Sequence, residues 1–180
     1  GLRACLEAAR QHPLWLNRAQ LTEPGKRGVG LAAGGWVGGT APANAVCRPD
    51  SDGTINIHIG SIDISGSNNA MVAIAAEVLG VSPDQIRIIS GDTATGPYAA
   101  NSGGSMITYT VGSAVMKAAE DARRQLLSIA GDLLEASPDD LEIRDGKISV
   151  RGVPDKGMTI ADVAGKALDY GSKHAPVLGQ

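Results

Sequence analysis

The chain contains no phenylalanine and only 3% aromatic residues across 180 positions, so its core has to be built from aliphatic and small side chains. Cysteine is nearly absent. Cys5 and Cys47 stand far apart and outside any CxxC or Cys/His pattern, which argues against a disulfide framework or a zinc site and makes a reducing compartment the default. The formal net charge is −3 and the basic residues are scattered, leaving no electrostatic footprint for nucleic acid or an acidic membrane. No apolar run approaches the roughly 20 residues needed to cross a bilayer, and no charged segment followed by an apolar stretch opens the chain. The expectation is a soluble, cytoplasmic protein with no nucleic-acid and no membrane partner. There is no GxxxxGK[ST] loop, and His12, His58 and His174 make no metal-binding pair.

Glycine, by contrast, is abundant: 24 residues, many within Gly28–Gly39 and Gly91–Gly112. Outside linkers, such density signals turns and close approach of backbone to something else. The length suffices for one substantial core. Gly1 opens directly into a helical pattern and Gly179-Gln180 follows no closing element, the look of an excised piece.

Leu2, Leu6 and Ala9 with Arg3, Glu7 and Arg10 predict a short helix ended by His12-Pro13, followed by a polar linker over 22–27. Residues 1–27 are thus read as an N-terminal helix and linker and 28–180 as one domain. Val29–Val37 is small and apolar enough for a strand. Asp50-Ser-Asp-Gly53 lies between Ala45–Cys47 and Thr54–Ile64, in which Ile55, Ile57 and Ile59 alternate with polar residues, predicting a hairpin with one buried face. Met71, Val72, Ile74, Ala75, Val78 and Leu79 predict a helix capped by Ser67 or Asn68 and closed by Gly80. A strand over 85–89, a long loop over 91–104 and a long helix over 105–136 follow. Gly112 and Gly131 weaken that helix unless another element packs on them. Asp145-Gly146 predicts a second hairpin, and Thr159 caps a last helix over 160–168. Strands and helices alternate without a regular βαβ rhythm, which predicts an α+β fold with a mixed sheet and helices on one face.

Two Gly/Ser turns, each feeding an apolar-periodic helix, carry the functional signal. The first is Asp63, Ser65, Gly66, Ser67 and Asn68; the second is Asn101, Ser102, Gly103, Gly104, Ser105 and Thr108. A helix start offers unpaired N–H groups and the positive end of a dipole, and glycines let a phosphate or a pterin edge reach them. Taken singly, each turn is also explained by helix capping; their recurrence within one chain favours a ligand. Gly28-Val-Gly30-Leu-Ala-Ala33 matches GxGxxA, but Lys26-Arg27 precede it and Gly34-Gly35 follow, so the strand and helix of a dinucleotide site are missing. Asp92 is read as bonding its own turn, Cys47 as a small buried hydrophobe, and Trp15 and Trp36 as packing anchors.

Taken in order, Gly60-x-x-Asp63-x-Ser65-Gly66, Ile74-Ala-Ala-Glu77-x-Leu79-Gly80-Val81, Gly91-Asp-Thr93, Pro97, Ser102-Gly-Gly-Ser105, Thr108 and Gly112-x-Ala114-Val115 resemble the molybdopterin-binding large subunit of the xanthine dehydrogenase and aldehyde oxidase family. The resemblance is strong over 28–134. It implies a molybdenum cofactor held by a pterin, often extended as a cytosine dinucleotide, and a small-molecule substrate of N-heterocycle or aldehyde type. It also implies partners: the remainder of the molybdenum subunit, with iron–sulfur clusters and a flavin on other domains or subunits. It assigns Ser65, Gly66 and Ser67 to a pterin- or phosphate-binding turn, Gly103 and Gly104 to the neighbourhood of metal and substrate, and Ser102, Ser105 and Thr108 to the second cofactor turn. Many members carry Gly-Gln-Gly where this chain has Ser65-Gly66, one residue shorter, so the contacts there must differ. The family's general base, a glutamate in a later Gly-Glu segment, has no counterpart here, and Glu77 is read as a solvent-facing helix residue. The fragment alone is therefore expected to be inactive. The alternative reading is a free-standing α+β binding module without molybdenum.

Overall fold

The computed structural model describes residues 1–39 and 41–180. The chain divides into two compact units, Gly1–Trp36 and Val37–Gln180.

In the first unit, α1 spans Leu2–Gln11 and stops where His12 turns extended ahead of Pro13. Pro13 then opens a second short helix, α2 (Pro13–Leu16), for which proline is suited because its missing N–H would be unpaired there anyway. A further turn, α3 (Arg18–Leu21), brings the Arg18 guanidinium to 4.4 Å from the Trp15 ring centre, a cation–π contact. Residues 22–27 close as a turn in which Glu23 and Arg27 are bridged. The strand expected over 29–37 is not formed. Gly28, Gly30, Gly34 and Gly35 leave little side chain to pack, and among the described residues no strand lies alongside to pair with. Trp36 is 85% exposed, so it is not the packing anchor its size suggested.

The second unit carries two three-stranded sheets. β1 (Ala45–Pro49) and β2 (Ile55–Ile59) form the expected antiparallel hairpin, with Cys47 opposite Ile57. Ile55, Ile57 and Ile59 are fully buried, as alternation predicted. Asn56 on the other phase is buried as well, because its amide donates to the Asp50 carboxylate, which Arg48 also grips at 3.0 Å. From β2 the chain runs through α4 (Ser67–Leu79) and returns as β3 (Ile86–Ile89), parallel to β2. Parallel neighbours require such a crossover. Gly80 ends α4 in the left-handed conformation at φ 64°, with its N–H on the Ala76 carbonyl.

A π-helical segment, Ile107–Val111, leads into α5 (Gly112–Leu134), which packs on β1 and α4. Both helix glycines are contact points: a β-carbon on Gly112 would stand 3.0 Å from Ile74 Cδ1, and one on Gly131 2.9 Å from the Ala136 carbonyl oxygen. The second sheet is antiparallel and comprises β4 (Leu141–Arg144), β5 (Lys147–Val150) and β6 (Val153–Thr159). Asp145 and Gly146 both have positive φ, 50° and 74°, as a tight primed hairpin turn demands. β6 escaped the sequence pattern because Pro154 and Gly157 interrupt it and its pairing slips at Ser149/Val150. α6 (Ile160–Leu168) starts from a capping box in which Thr159 and Asp162 exchange hydrogen bonds. The α+β class holds, with the strands divided between a mixed sheet and an antiparallel one.

Candidate cofactor-binding turns

β2 and β3 are parallel, so the segments that leave their carboxyl ends emerge at one edge of the sheet. Those segments are the first Gly/Ser turn and the long loop that ends in the second. In open α/β sheets this edge is where ligands bind.

The first turn is held by Asp63. Its Oδ1 accepts from the Ser67 hydroxyl and from the Asn68 N–H, each at 3.2 Å. Neither Ser67 nor Asn68 caps α4 with its own side chain; the capping position is Gly66, and the capping carboxylate comes from Asp63. Ser65 and Gly66 are consecutive left-handed residues, at φ 61° and 75°. For serine that conformation costs on the order of 1–2 kcal/mol, a strain found preferentially at binding sites. Beside them the Asn68 Oδ1 is buried without a hydrogen-bond partner among the described residues. A buried amide oxygen left unpaired is costly, and a ligand N–H would satisfy it.

The second turn repeats the device. Gly104 and Ser105 are again consecutive left-handed residues, both at φ 57°, immediately ahead of a helix. The Met106 N–H closes the turn on the Gly103 carbonyl at 3.1 Å. Ser102 and Thr108 are exposed, the latter on the π-helical segment, a distortion that frequently marks functional sites. Gly104 is covered from one side by Gly38, where a β-carbon would overlap the Gly104 carbonyl oxygen, while Gly39 lies against the Tyr109 ring. The role of Gly38 leaves no trace in the sequence because its contact is main chain to main chain, and that of Gly39 because its partner, the Tyr109 ring, lies 70 residues away. α4 packs against the π-helical segment, and Gly112 sits beneath Met71 and Ile74, so the two turns stand on helices in mutual contact.

The loop between β3 and the second turn is fixed at two places. Asp92 accepts from the Ala94 N–H at 2.8 Å and from the Thr95 hydroxyl, as its turn-forming reading required. Those bonds, the Thr95 hydroxyl foremost, hold its carboxyl below the usual carboxylate range. Further on, the Tyr98 carbonyl accepts from the Asn44 N–H at 2.8 Å, and Pro97 and Ala99 close over Gly60.

Side-chain chemistry is sparse in both turns. Asp63 is the only acid in them and is engaged in capping. Cys47 lies in the core, where burial, helped by the negative charge of Asp121, pushes its thiol up to about 12, so it is no nucleophile. Glu77 is exposed on α4. Gly28–Ala33 has no helix after it, in keeping with the rejection of a dinucleotide site. No group of three or more His, Cys, Asp or Glu residues converges among the described residues. What remains is a main-chain cradle: two helix starts with positive-φ turns, hydroxyls at Ser65, Ser102 and Ser105, and an unsatisfied amide oxygen.

The sequence profile of the molybdopterin cofactor-binding domain matches residues 5–177. The chain belongs to that family. It is 28% identical to the carbon monoxide dehydrogenase large chain of Hydrogenophaga pseudoflava, over 99% of this chain and 24% of the relative. It is 32% identical to the nicotine 6-hydroxylase large subunit of Paenarthrobacter nicotinovorans, over 67% of this chain and 15% of the relative. Among solved structures, quinoline 2-oxidoreductase from Pseudomonas putida 86 superposes with a TM-score of 0.68 at 29% identity, over 76% of this chain and 18% of that one. The chain thus spans less than a quarter of the length of these relatives. The residues present fit the family's group: an anionic pterin suits paired helix starts, and a pterin N–H suits the unpartnered Asn68 oxygen. No helix among the described residues is long and apolar enough to cross a membrane.

Proposed function

We propose that this chain is the part of a molybdenum-dependent oxidoreductase subunit that holds the pterin cofactor, through Ser65, Gly66 and Ser67 at the first turn and Ser102, Gly103, Gly104, Ser105 and Thr108 at the second. The observation that carries the reading is the repeated pair of left-handed residues ahead of a helix, at Ser65-Gly66 and at Gly104-Ser105, off the carboxyl ends of neighbouring parallel strands. In this assignment residues 28–180 are the cofactor-binding part and 1–27 a helical lead-in. When bound, the molybdenum cofactor supplies the redox and oxygen-transfer chemistry. The chain's own residues orient it: helix-start N–H groups and serine hydroxyls engage anionic edges, Gly103 and Gly104 allow close approach, and Asp63 keeps α4 aimed at the site. No residue here serves as a general base.

The substrate class is a small N-heterocycle or an aldehyde, and nicotine and quinoline, which name two of the relatives, favour the N-heterocycle. The partners are the remainder of the molybdenum subunit and subunits or domains carrying iron–sulfur clusters and a flavin, in a cytoplasmic complex, with no nucleic acid and no membrane. Quantifying molybdenum together with the fluorescence of released, oxidised pterin in the full-length parent protein tests the proposal. Near-stoichiometric amounts of both are expected. A folded parent from a cofactor-competent host that contains neither overturns it and makes the turns ordinary helix caps.

A further inference from the structure

The outer edge of β1 already carries a strand-like partner. Gly179 and Cys47 exchange both backbone hydrogen bonds, at 2.9 and 2.8 Å, in antiparallel sense. Because Cys47 spends both groups on Gly179, alternation along an antiparallel strand turns the N–H and C=O of Ala45 and Ala43 to that same edge, away from β2. Pro49, on the same phase, has no N–H to offer, so pairing cannot extend past Cys47 in the other direction. The edge is thus used at Cys47, closed at Pro49 and open at Ala45 and Ala43.

A cavity of about 540 Å³ adjoins the open part, bounded by residues 43–46 on one side and by Thr95, Gly96 and Pro97 of the loop after β3 on another, with Ala114 and Lys117 of α5 beside them and Gln180 at its end. The approach to it is tightly guided. A β-carbon on Gly179 would stand 2.6 Å from the Ala122 N, so only glycine passes α5 at this point. The Gln125 amide clasps Leu178 by both backbone groups, at 2.8 and 3.1 Å, and the Gln180 N–H reaches Asp121 at 3.2 Å. Direction and register are therefore set before the cavity is entered. Continuing from the Gly179–Cys47 pair, the second residue after Gly179 opposes Ala45 and the fourth opposes Ala43.

We propose that the β1 edge at Ala43–Ala45 is a strand acceptor, filled by an extended segment that follows Gln180 in the larger subunit and pairs antiparallel in the register of Gly179. The identity of this occupant rests on the reading above, that the chain is one part of such a subunit. The segment completes a four-stranded sheet on the side away from β3 and covers an edge that would otherwise invite pairing with another molecule.

The test compares amide hydrogen exchange at Ala45 in the 180-residue chain, in the same chain carrying the next eight residues of its reading frame, and in a control carrying eight Gly and Ser residues. The natural extension is expected to slow exchange at Ala45 by about tenfold, the worth of one added backbone bond, with Cys47 unchanged; Ala45→Pro in the extended chain should abolish any shift in its melting temperature. Equal exchange in all three chains, or a reading frame that ends at Gln180, overturns the proposal. Molybdenum does not enter this readout. A parent lacking the metal with Ala45 protected leaves the acceptor standing and removes the cofactor reading, and the reverse result does the opposite.

Discussion

Gly60 is the position at which a single methyl group tests how the cofactor edge is built. It follows β2 directly, and a β-carbon there would overlap the Pro97 carbonyl oxygen and stand 3.0 Å from the Ala99 N. Its neighbours are backbone, so nothing can rotate away. Gly60→Ala must push the loop outward, straining the Asn44–Tyr98 bond as well. Overpacking of this kind costs about 1–3 kcal/mol, and loss of the nearby backbone bond about 1 kcal/mol more. For a domain of this size each kcal/mol lowers the melting temperature by roughly 2–4 °C, so a fall of about 4–16 °C is expected by calorimetry. Gly34→Ala is the control, because nothing lies within 4 Å of a β-carbon there; it should be neutral or slightly stabilising. If Gly60→Ala melts within a degree of the parent, the loop is not clamped to β2 and the second turn is not positioned in the way argued here.

Other perturbations address separate features. Asp63→Ala removes the carboxylate that caps α4 from outside the helix, and should cost about 0.5–2 kcal/mol in urea unfolding, whereas Ser67→Ala, which leaves the Asn68 bond in place, should cost less. The Cys47 thiol is raised from 9.0 to about 12 by burial, so the native state holds a proton that the unfolded state releases. Stability is complete below pH 9 and should decline as pH rises toward 12, a decline that Cys47→Ala abolishes; a thiol reagent at pH 8 should label Cys5 and spare Cys47 until the protein unfolds. The Asp162 carboxyl is held below its ordinary value of 3.8 by the Thr159 hydroxyl and N–H. Its contribution is present above about pH 4 and is lost as pH falls, so Asp162→Ala should flatten the acid limb of a melting-temperature profile.

Elements whose signal is local were legible in the sequence. The hairpin around Asp50–Gly53, the tight turn at Asp145-Gly146, the Thr159 cap and the Gly80 terminator all formed as read, because turn chemistry and side-chain period decide them within a few residues. The strand expected over 29–37 failed for the complementary reason: strands are settled by partners, and apolar composition cannot supply one. β6 was hidden by Pro154 and Gly157 yet formed because β5 offered an edge. At the candidate site, Gly and Ser density located both turns. What it could not disclose is the geometry that makes them alike: the left-handed pairs, the capping of α4 by a residue outside it, and the passage of Gly38 over Gly104. Those are agreements between distant stretches of backbone.

That last contact sets how the second turn responds to its surroundings. Gly38 meets Gly104 through main-chain atoms alone, with no group there to titrate and no charge for salt to screen. Ionic strength and acidity can loosen Asp92 or Asp162 while this junction keeps its spacing. Salt and acidity therefore have no direct handle on this spacing, and added bulk at Gly38 is the perturbation that acts on it.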